Sequence, residues 1–209
     1  QRLQGQKVAR IHRRAKYMLA EMESGLTLMV HLGMSGRFTI HPAGEAAAGP
    51  GIASSGQAGQ GHNSGWLKAE KHDHVVLTLE DGTAIVYNDP RRFGFMDLIE
   101  AGRLDQHPSL APLGPEPLSE EFSAQHLKSA WAGRKSNVKT SLLDQKVVAG
   151  LGNIYVCEAL WRAGISPKKL AGSVSMAKLK ELVPHIKEIL AEAIEAGGSS
   201  LKDFRQADG

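Results

Sequence analysis

The stretch Asn137 to Pro167, NVKTSLLDQKVVAGLGNIYVCEALWRAGISP, constrains this chain more than any other, because a glycine-bracketed turn separates two short helical patterns there. Asn137 is placed to cap the first helix, and Val138, Leu142 and Leu143 fall on one of its faces. The run LGN opens the second helix, whose Ile154, Cys157, Leu160 and Trp161 share an apolar stripe, and Gly164 and Pro167 close it. Gly150 and Gly152 remove side chains from the turn, so the backbone N–H groups at the start of the second helix can approach a ligand closely. An anion fits such a place: the helix dipole and free N–H groups favour phosphate, Asn153 adds a neutral amide donor, and Lys146 supplies charge just upstream.

The rest of the composition is that of a globular chain with enough apolar residues, 42% of 209, to bury a core. Lys+Arg 25 against Asp+Glu 22 leaves +3, so a polyanionic partner is indicated by where the cations cluster rather than by their number. One cysteine excludes an intramolecular disulfide framework, and with no signal peptide and no long apolar run the chain is expected in a reducing cytoplasm, away from membranes. Gln1 to Ile11 begins without an initiator methionine or a helix-start signal, and is expected to be a cut through a longer protein.

Before the helical stretch, the pattern is one of hairpins. Arg10, Arg13, Arg14 and Lys16 lead into a strand from Tyr17 to Met22, and Ser24-Gly25 turns it into Leu26 to His31. In HLGMSGRF, Gly33 and Gly36 flank Met34, which places a flexible apolar side chain at a loop tip. Ala43 to Gly65 is too rich in glycine, alanine and serine to bury much apolar surface, and is expected to be a disordered insertion. His72-Asp73-His74 runs straight into the strand HVVLTL and is read as part of it rather than as a metal site, and Glu80 to Thr83 is a tight hairpin turn before AIVY. In NDPRRFGFMDL, Asn-Asp-Pro forms a turn that lifts Arg91, Arg92 and Phe93 clear of the sheet, and Gly94 lets the chain re-enter a strand. Arginine beside an aromatic residue suits a strained base step, because one can donate to base acceptors and the other can stack.

Leu110 to Leu118, with three prolines and a glycine, marks the change from β-like alternation to helical periodicity and is read as a linker. A helix follows over Phe122 to Trp131 with Ser119 as its expected N-cap, and Leu179 through Ile194 define a long amphipathic helix kinked at Pro184 and stopped by Gly197-Gly198. The predicted fold class is α+β. A partial antiparallel β-sandwich over residues 1–109, with the insertion at about 43–65, is followed by the linker 110–118 and a helical domain over 119–209.

The run DQKVVAGLGNIYVCEAL resembles the helix-two-turn-helix element of the formamidopyrimidine-DNA glycosylase family, the bacterial enzymes that remove oxidised purines, and RRAKY, HLGMSGRF and NDPRRF follow the family's order. The resemblance implies a base-excision-repair DNA glycosylase and abasic-site lyase acting on lesions such as 8-oxoguanine and formamidopyrimidines in duplex DNA. It gives Lys16 a DNA contact near the damaged nucleotide, Met34 the filling of the vacated stack, Arg92 a pairing with the orphaned base and Phe93 a wedge between bases. By the same resemblance Lys146 and Asn153 are expected to hold the DNA backbone, and Ser199 and Gln206 to belong to a loop that closes over the extruded base. It also implies a monomer with double-stranded damaged DNA as partner and a structural four-cysteine zinc finger in full-length members. The family's proline-glutamate start, whose proline amine forms an imine with the sugar, and that finger are both missing, so this chain is expected to bind DNA without catalysis, with no catalytic residue and no zinc of its own. Two other readings fit part of the pattern: a non-catalytic DNA-binding paralogue, and a ribosomal-type helix-two-turn-helix protein. The latter has no use for Met34, Arg92 and Phe93.

Overall fold

A computed structural model describes residues 2–43 and 70–198 of the chain. The expectations for residues 44–65, for Ser199 and for Gln206 therefore lie outside the described residues.

Among the described residues seven strands precede four α-helices: β1 Val8–Arg14, β2 Tyr17–Met22, β3 Thr27–His31, β4 Arg37–His41, β5 Asp73–Thr78, β6 Ala84–Asn88, β7 Phe95–Ile99, then α1 Ala124–Ala130, α2 Val138–Leu143, α3 Asn153–Arg162 and α4 Met176–Glu195. The strands form a four-stranded sheet in the order β1-β2-β3-β7 and a three-stranded sheet in the order β4-β6-β5, and the expected α+β class holds. Two compact units divide the described residues, one comprising 2–29 and 97–198 and the other 30–43 and 70–96.

In the first unit, β1 and β2 form an antiparallel hairpin with Arg14 opposite Tyr17, so only Ala15 and Lys16 make the turn. Strand β1 has no counterpart in the sequence reading, because its alternation is hidden: Val8 and Ile11 are exposed, and Arg10, Arg13 and Arg14 are three of the other five residues. The helical core gathers Phe122, Leu127, Trp131, Val138, Leu142, Val156, Leu160, Leu179, Leu182 and Ile186. Complete burial of an aliphatic or aromatic side chain of this size is worth about 1.5–3 kcal/mol each before the entropy of ordering it is counted.

The helix ends follow local rules in most cases. Asn137 Oδ1 accepts the Thr140 N–H at 2.8 Å and caps α2 as expected. At the end of α3, Gly164 has φ 60°, its N–H reaches Trp161 O, and Ile165 N–H reaches Leu160 O, a paired closure that needs a residue in the left-handed region. Gly197 and Gly198 end α4 in the same way, on Ile194 O and Ala193 O, and the helix runs as one 20-residue element through Pro184.

Two expectations are corrected. The cap of α1 is Ser123, whose hydroxyl accepts the His126 N–H at 3.1 Å; Ser119 instead donates to Glu116 O within a turn, so the helix starts at Ala124 rather than Phe122. The stripe read on α3 is its buried face at Leu160 alone. Val156, Ala159 and Leu160 face the core while Ile154, Cys157 and Trp161, the last 77% accessible, are exposed. Both sets obey helical spacing, and the small alanine makes the true one the less apolar to the eye.

In the second unit, β4 and β5 flank β6, with Phe38 and Val75 both opposite Tyr87. The β5–β6 hairpin closes through Leu79 N–H on Thr83 O, with Gly82 at φ 87°.

Candidate nucleic-acid interface

In the first unit, α2 and α3 bracket the predicted turn, and Gln145 builds it. Its side-chain amide donates to Leu143 O and Leu151 O, and its Oε1 accepts the Gly150 N–H at 2.9 Å. Gly150 has φ 83°, a conformation that a side chain would strain. Gly152 is the N-cap residue of α3 and brings no capping side chain, so the leading N–H groups of this ten-residue helix are left to another acceptor. Asn153 stands exposed at the first helical position, with its Oδ1 3.8 Å from the Cys157 thiol, and Lys146 is exposed in the turn.

Lys16 comes to the same turn from the β1–β2 hairpin. Its Nζ donates to Leu151 O at 2.8 Å and lies 3.8 Å from where a Cβ on Gly152 would be. Lys16 is exposed as a residue, yet partial desolvation of its ammonium holds its pKa below the usual lysine range. The first unit thus brings Lys16, Gly152 and the start of α3 together.

The arginines that accompany Lys16 in sequence have a different use. Arg10 pairs with Glu21, and Arg13 and Arg14 both pair with Glu116. Glu116 Oε1 also accepts the Ala15 N–H at 2.6 Å, and Arg14 donates to Gly114 O at 2.7 Å. Ala15 sits at φ 53°, an uncommon value for alanine, and these contacts hold it there. Residues 114–116 are therefore a brace under the Lys16 turn as well as a connection: Gly114 N–H meets Gln145 O and Ala149 N–H meets Pro115 O.

In the second unit, the Met34 loop and the Arg92–Phe93 loop lie backbone to backbone. A Cβ on Gly33 would stand 2.5 Å from Gly94 N and 2.6 Å from the Phe93 carbonyl carbon. Met34 is 69% and Phe93 57% accessible, so two large apolar side chains point to solvent next to a buried junction. Arg92 is exposed and has φ 56°, and the Arg91 guanidinium lies 5.0 Å over the Phe93 ring. Below them Asp89, 1% accessible, accepts from Ser35 Oγ, Gly94 N–H and the Tyr87 hydroxyl. The side chains of the HDH run go to this junction and its flank: His74 Nε2 bonds Asp89 O, and Asp73 accepts from Asn88.

The model of the formamidopyrimidine-DNA glycosylase N-terminal domain matches residues 1–96, and that of the formamidopyrimidine-DNA glycosylase H2TH domain matches residues 113–205. The formamidopyrimidine-DNA glycosylase of Dinoroseobacter shibae is 53% identical over 208 residues, all of this chain and 69% of that protein. The chain belongs to the formamidopyrimidine-DNA glycosylase family. A second glycosylase of that name, from a Ruegeria species, is also 53% identical over 209 residues and 69% of its own length. Among solved structures, the MutM (Fpg) protein of Thermus thermophilus matches with TM-score 0.78 and 35% identity, covering 98% of this chain and 67% of that one. MutM in complex with DNA containing carbocyclic 8-oxo-G matches with TM-score 0.79 and 33% identity, covering 95% of this chain and 66% of that one.

Within this glycosylase fold, the groups that sequence reasoning missed are Gln145, Glu116, Asp89 and Ser35, all of which act on partners rather than on solvent. Among the described residues no group of three or more His, Cys, Asp or Glu side chains is placed to hold a metal ion. Among the described residues no helix is long and apolar enough to cross a membrane.

Proposed function

We propose that this chain is the DNA-recognition body of a base-excision-repair glycosylase and abasic-site lyase that removes oxidised purines, such as 8-oxoguanine and formamidopyrimidines, from duplex DNA, acting as a monomer in the bacterial cytoplasm. In this reading, 1–109 and 119–209 are its two domains, joined by 110–118. Met34, Arg92 and Phe93 enter the base stack where the damaged nucleotide leaves it: Met34 fills the gap, Arg92 donates to the orphaned base and Phe93 wedges the neighbouring step. Lys16, Lys146, Asn153 and the uncapped start of α3 grip phosphates, which fixes register without reading sequence. Ser199 and Gln206 contact the edge of the extruded base.

The observation that carries this reading is the exposure of Met34 and Phe93 on two loops packed through Gly33 and Gly94, which presents two large apolar side chains to water from one backbone junction. It is supported by the family to which the chain belongs and by the likeness to MutM in complex with DNA containing carbocyclic 8-oxo-G. The test is borohydride trapping of the intact gene product on a duplex with one 8-oxoguanine, together with release of the free base. Covalent trapping and base release are expected; a protein that binds the duplex yet yields neither is a non-catalytic reader of DNA.

A further inference from the structure

The Asp89 carboxylate is buried and its donors are neutral: Ser35 Oγ at 2.5 Å on Oδ1, and Gly94 N–H at 2.8 Å and the Tyr87 hydroxyl at 3.2 Å on Oδ2. Burying a carboxylate among dipoles alone is costly compared with a neutral residue of the same shape, so its retention at this junction calls for a purpose. The donors identify it. Ser35 follows Met34, Gly94 follows Phe93, and the Ser35 hydroxyl that donates to Asp89 also accepts the Arg91 N–H at 3.1 Å. The main chain of Asp89 is fixed as well, by its N–H on His72 O and by His74 Nε2 and the Arg92 N–H on its carbonyl. One anion therefore accepts hydrogen bonds from both loops, and the close approach of the loops depends on Gly33, where a Cβ would meet the Phe93–Gly94 backbone, and on Gly94, where one would meet His31 O and Leu32 C.

We propose that Asp89 is a positioning residue: with Ser35 as its bridge, it locks the Met34 loop and the Arg92–Phe93 loop into a single preset wedge, so that both enter the base stack together. The proposal rests on the damaged-DNA reading above, and it adds a residue that need never touch DNA. Burial pushes the Asp89 carboxyl up, but the Ser35 hydroxyl, the Gly94 amide, the Tyr87 hydroxyl and the Arg91 amide outweigh it and hold it below the usual carboxylate range. The same junction pushes Tyr87 up to about 12, chiefly by burial and then by the neighbouring anion, so the tyrosine remains a donor. A preset wedge matters because a loop ordered before contact does not lose its backbone entropy at the moment the stack opens.

The test compares Asp89→Asn, Ser35→Ala and Ser35→Thr in the intact gene product. Asp89→Asn keeps the shape but turns one oxygen into a donor, and Ser35→Ala removes the bridge while leaving the Asp89 to Gly94 bond. Stopped-flow fluorescence of a base analogue beside 8-oxoguanine reads extrusion, and titration with undamaged duplex reads encounter. Loss of a charge-assisted hydrogen bond should slow extrusion about tenfold in Asp89→Asn and Ser35→Ala, leave encounter affinity within about twofold, and be rescued by the hydroxyl of Ser35→Thr. Amide exchange of Arg91 and Gly94 in the DNA-free protein should quicken in the same two variants.

Equal extrusion rates in wild type and Ser35→Ala would overturn the clasp while leaving the damaged-DNA reading intact. Parallel losses of extrusion and encounter with no rescue by Ser35→Thr would reduce Asp89 to a structural residue and overturn it equally. If wild type itself extrudes no base, the functional reading falls and the proposal falls with it, whatever amide exchange shows. Should Asp89→Asn not fold, the Ser35 pair decides alone.

Discussion

Replacing Glu116 with alanine should unfasten the turn that carries Lys16, and the structure fixes the size of the effect. The Ala15 N–H, in a residue only 4% accessible, loses its acceptor at 2.6 Å, and an unsatisfied buried donor costs about 1–3 kcal/mol. Arg14 keeps Gly114 O and Leu113 O, so its charge is not stranded, and losing one carboxylate partner costs it roughly 1 kcal/mol. Arg13 is well exposed and keeps Ala15 O, which limits its share to about 0.2–1 kcal/mol. A total of about 3 kcal/mol is expected as a lower urea midpoint at unchanged slope, whereas Glu116→Gln, which retains an acceptor for Ala15, should lose about 1 kcal/mol. Burial pushes the Glu116 carboxyl up, but the Ala15 N–H, Arg14 and Arg13 outweigh this and hold it below the ordinary value of 4.5. A depressed carboxyl pKa gives stability that is present above the unfolded value and lost as pH falls through the folded one. The gap between wild type and Glu116→Ala should therefore be full well above pH 4.5 and narrow as pH falls through the lower, folded-state value. Midpoints of both variants within about 0.5 kcal/mol of wild type at pH 7 would refute the brace, because surface pairs alone give no more.

The remaining expectations are simpler to read. Lys146→Ala should lower the slope of log affinity for duplex DNA against log salt by about one unit, and a slope and affinity equal to wild type would remove this lysine from the interface. Asn153→Ala should weaken binding to damaged and undamaged duplexes alike, measured by fluorescence anisotropy on both. Leu142→Ala, at a fully buried position of the helical core, should cost about 2–5 kcal/mol in urea unfolding. Gly94→Ala would put a Cβ 1.8 Å from the Tyr87 hydroxyl and 2.7 Å from His31 O; the tyrosine can move only by leaving Asp89, so a loss of about 1–3 kcal/mol in thermal unfolding is expected.

Much of the site was legible because its signals are local. Asn137 precedes a helical pattern, Gly164 follows one, and the glycines around Met34 and after Phe93 punctuate turns, each within a few residues of what it controls. Where two local solutions were degenerate, sequence could not choose: Ser119 and Ser123 are both capable caps, and α3 offers two apolar stripes of equal period. The supports of the site carry no local signal. Glu116 is 101 residues from Ala15, and Ser35 is 54 from Asp89, so each reads as an ordinary polar residue until the fold brings its partner.

The reach of Lys16 has a consequence for the order in which this chain matures. The β1–β2 hairpin can close on its own, since its turn is two residues long, but the carbonyl that receives the Lys16 ammonium belongs to Leu151, 135 residues later. Closing so long a loop is slow and must wait for the segments between to be collapsed, so Lys16 reaches its place among the last events of folding. A ribosome-bound or half-folded chain then has the hairpin without the grip, and pulse-labelled refolding should show the hairpin amides protected before the Gly150 amide on Gln145 becomes so. The proposed phosphate grip of Lys16 arrives only after Leu151 has joined the fold.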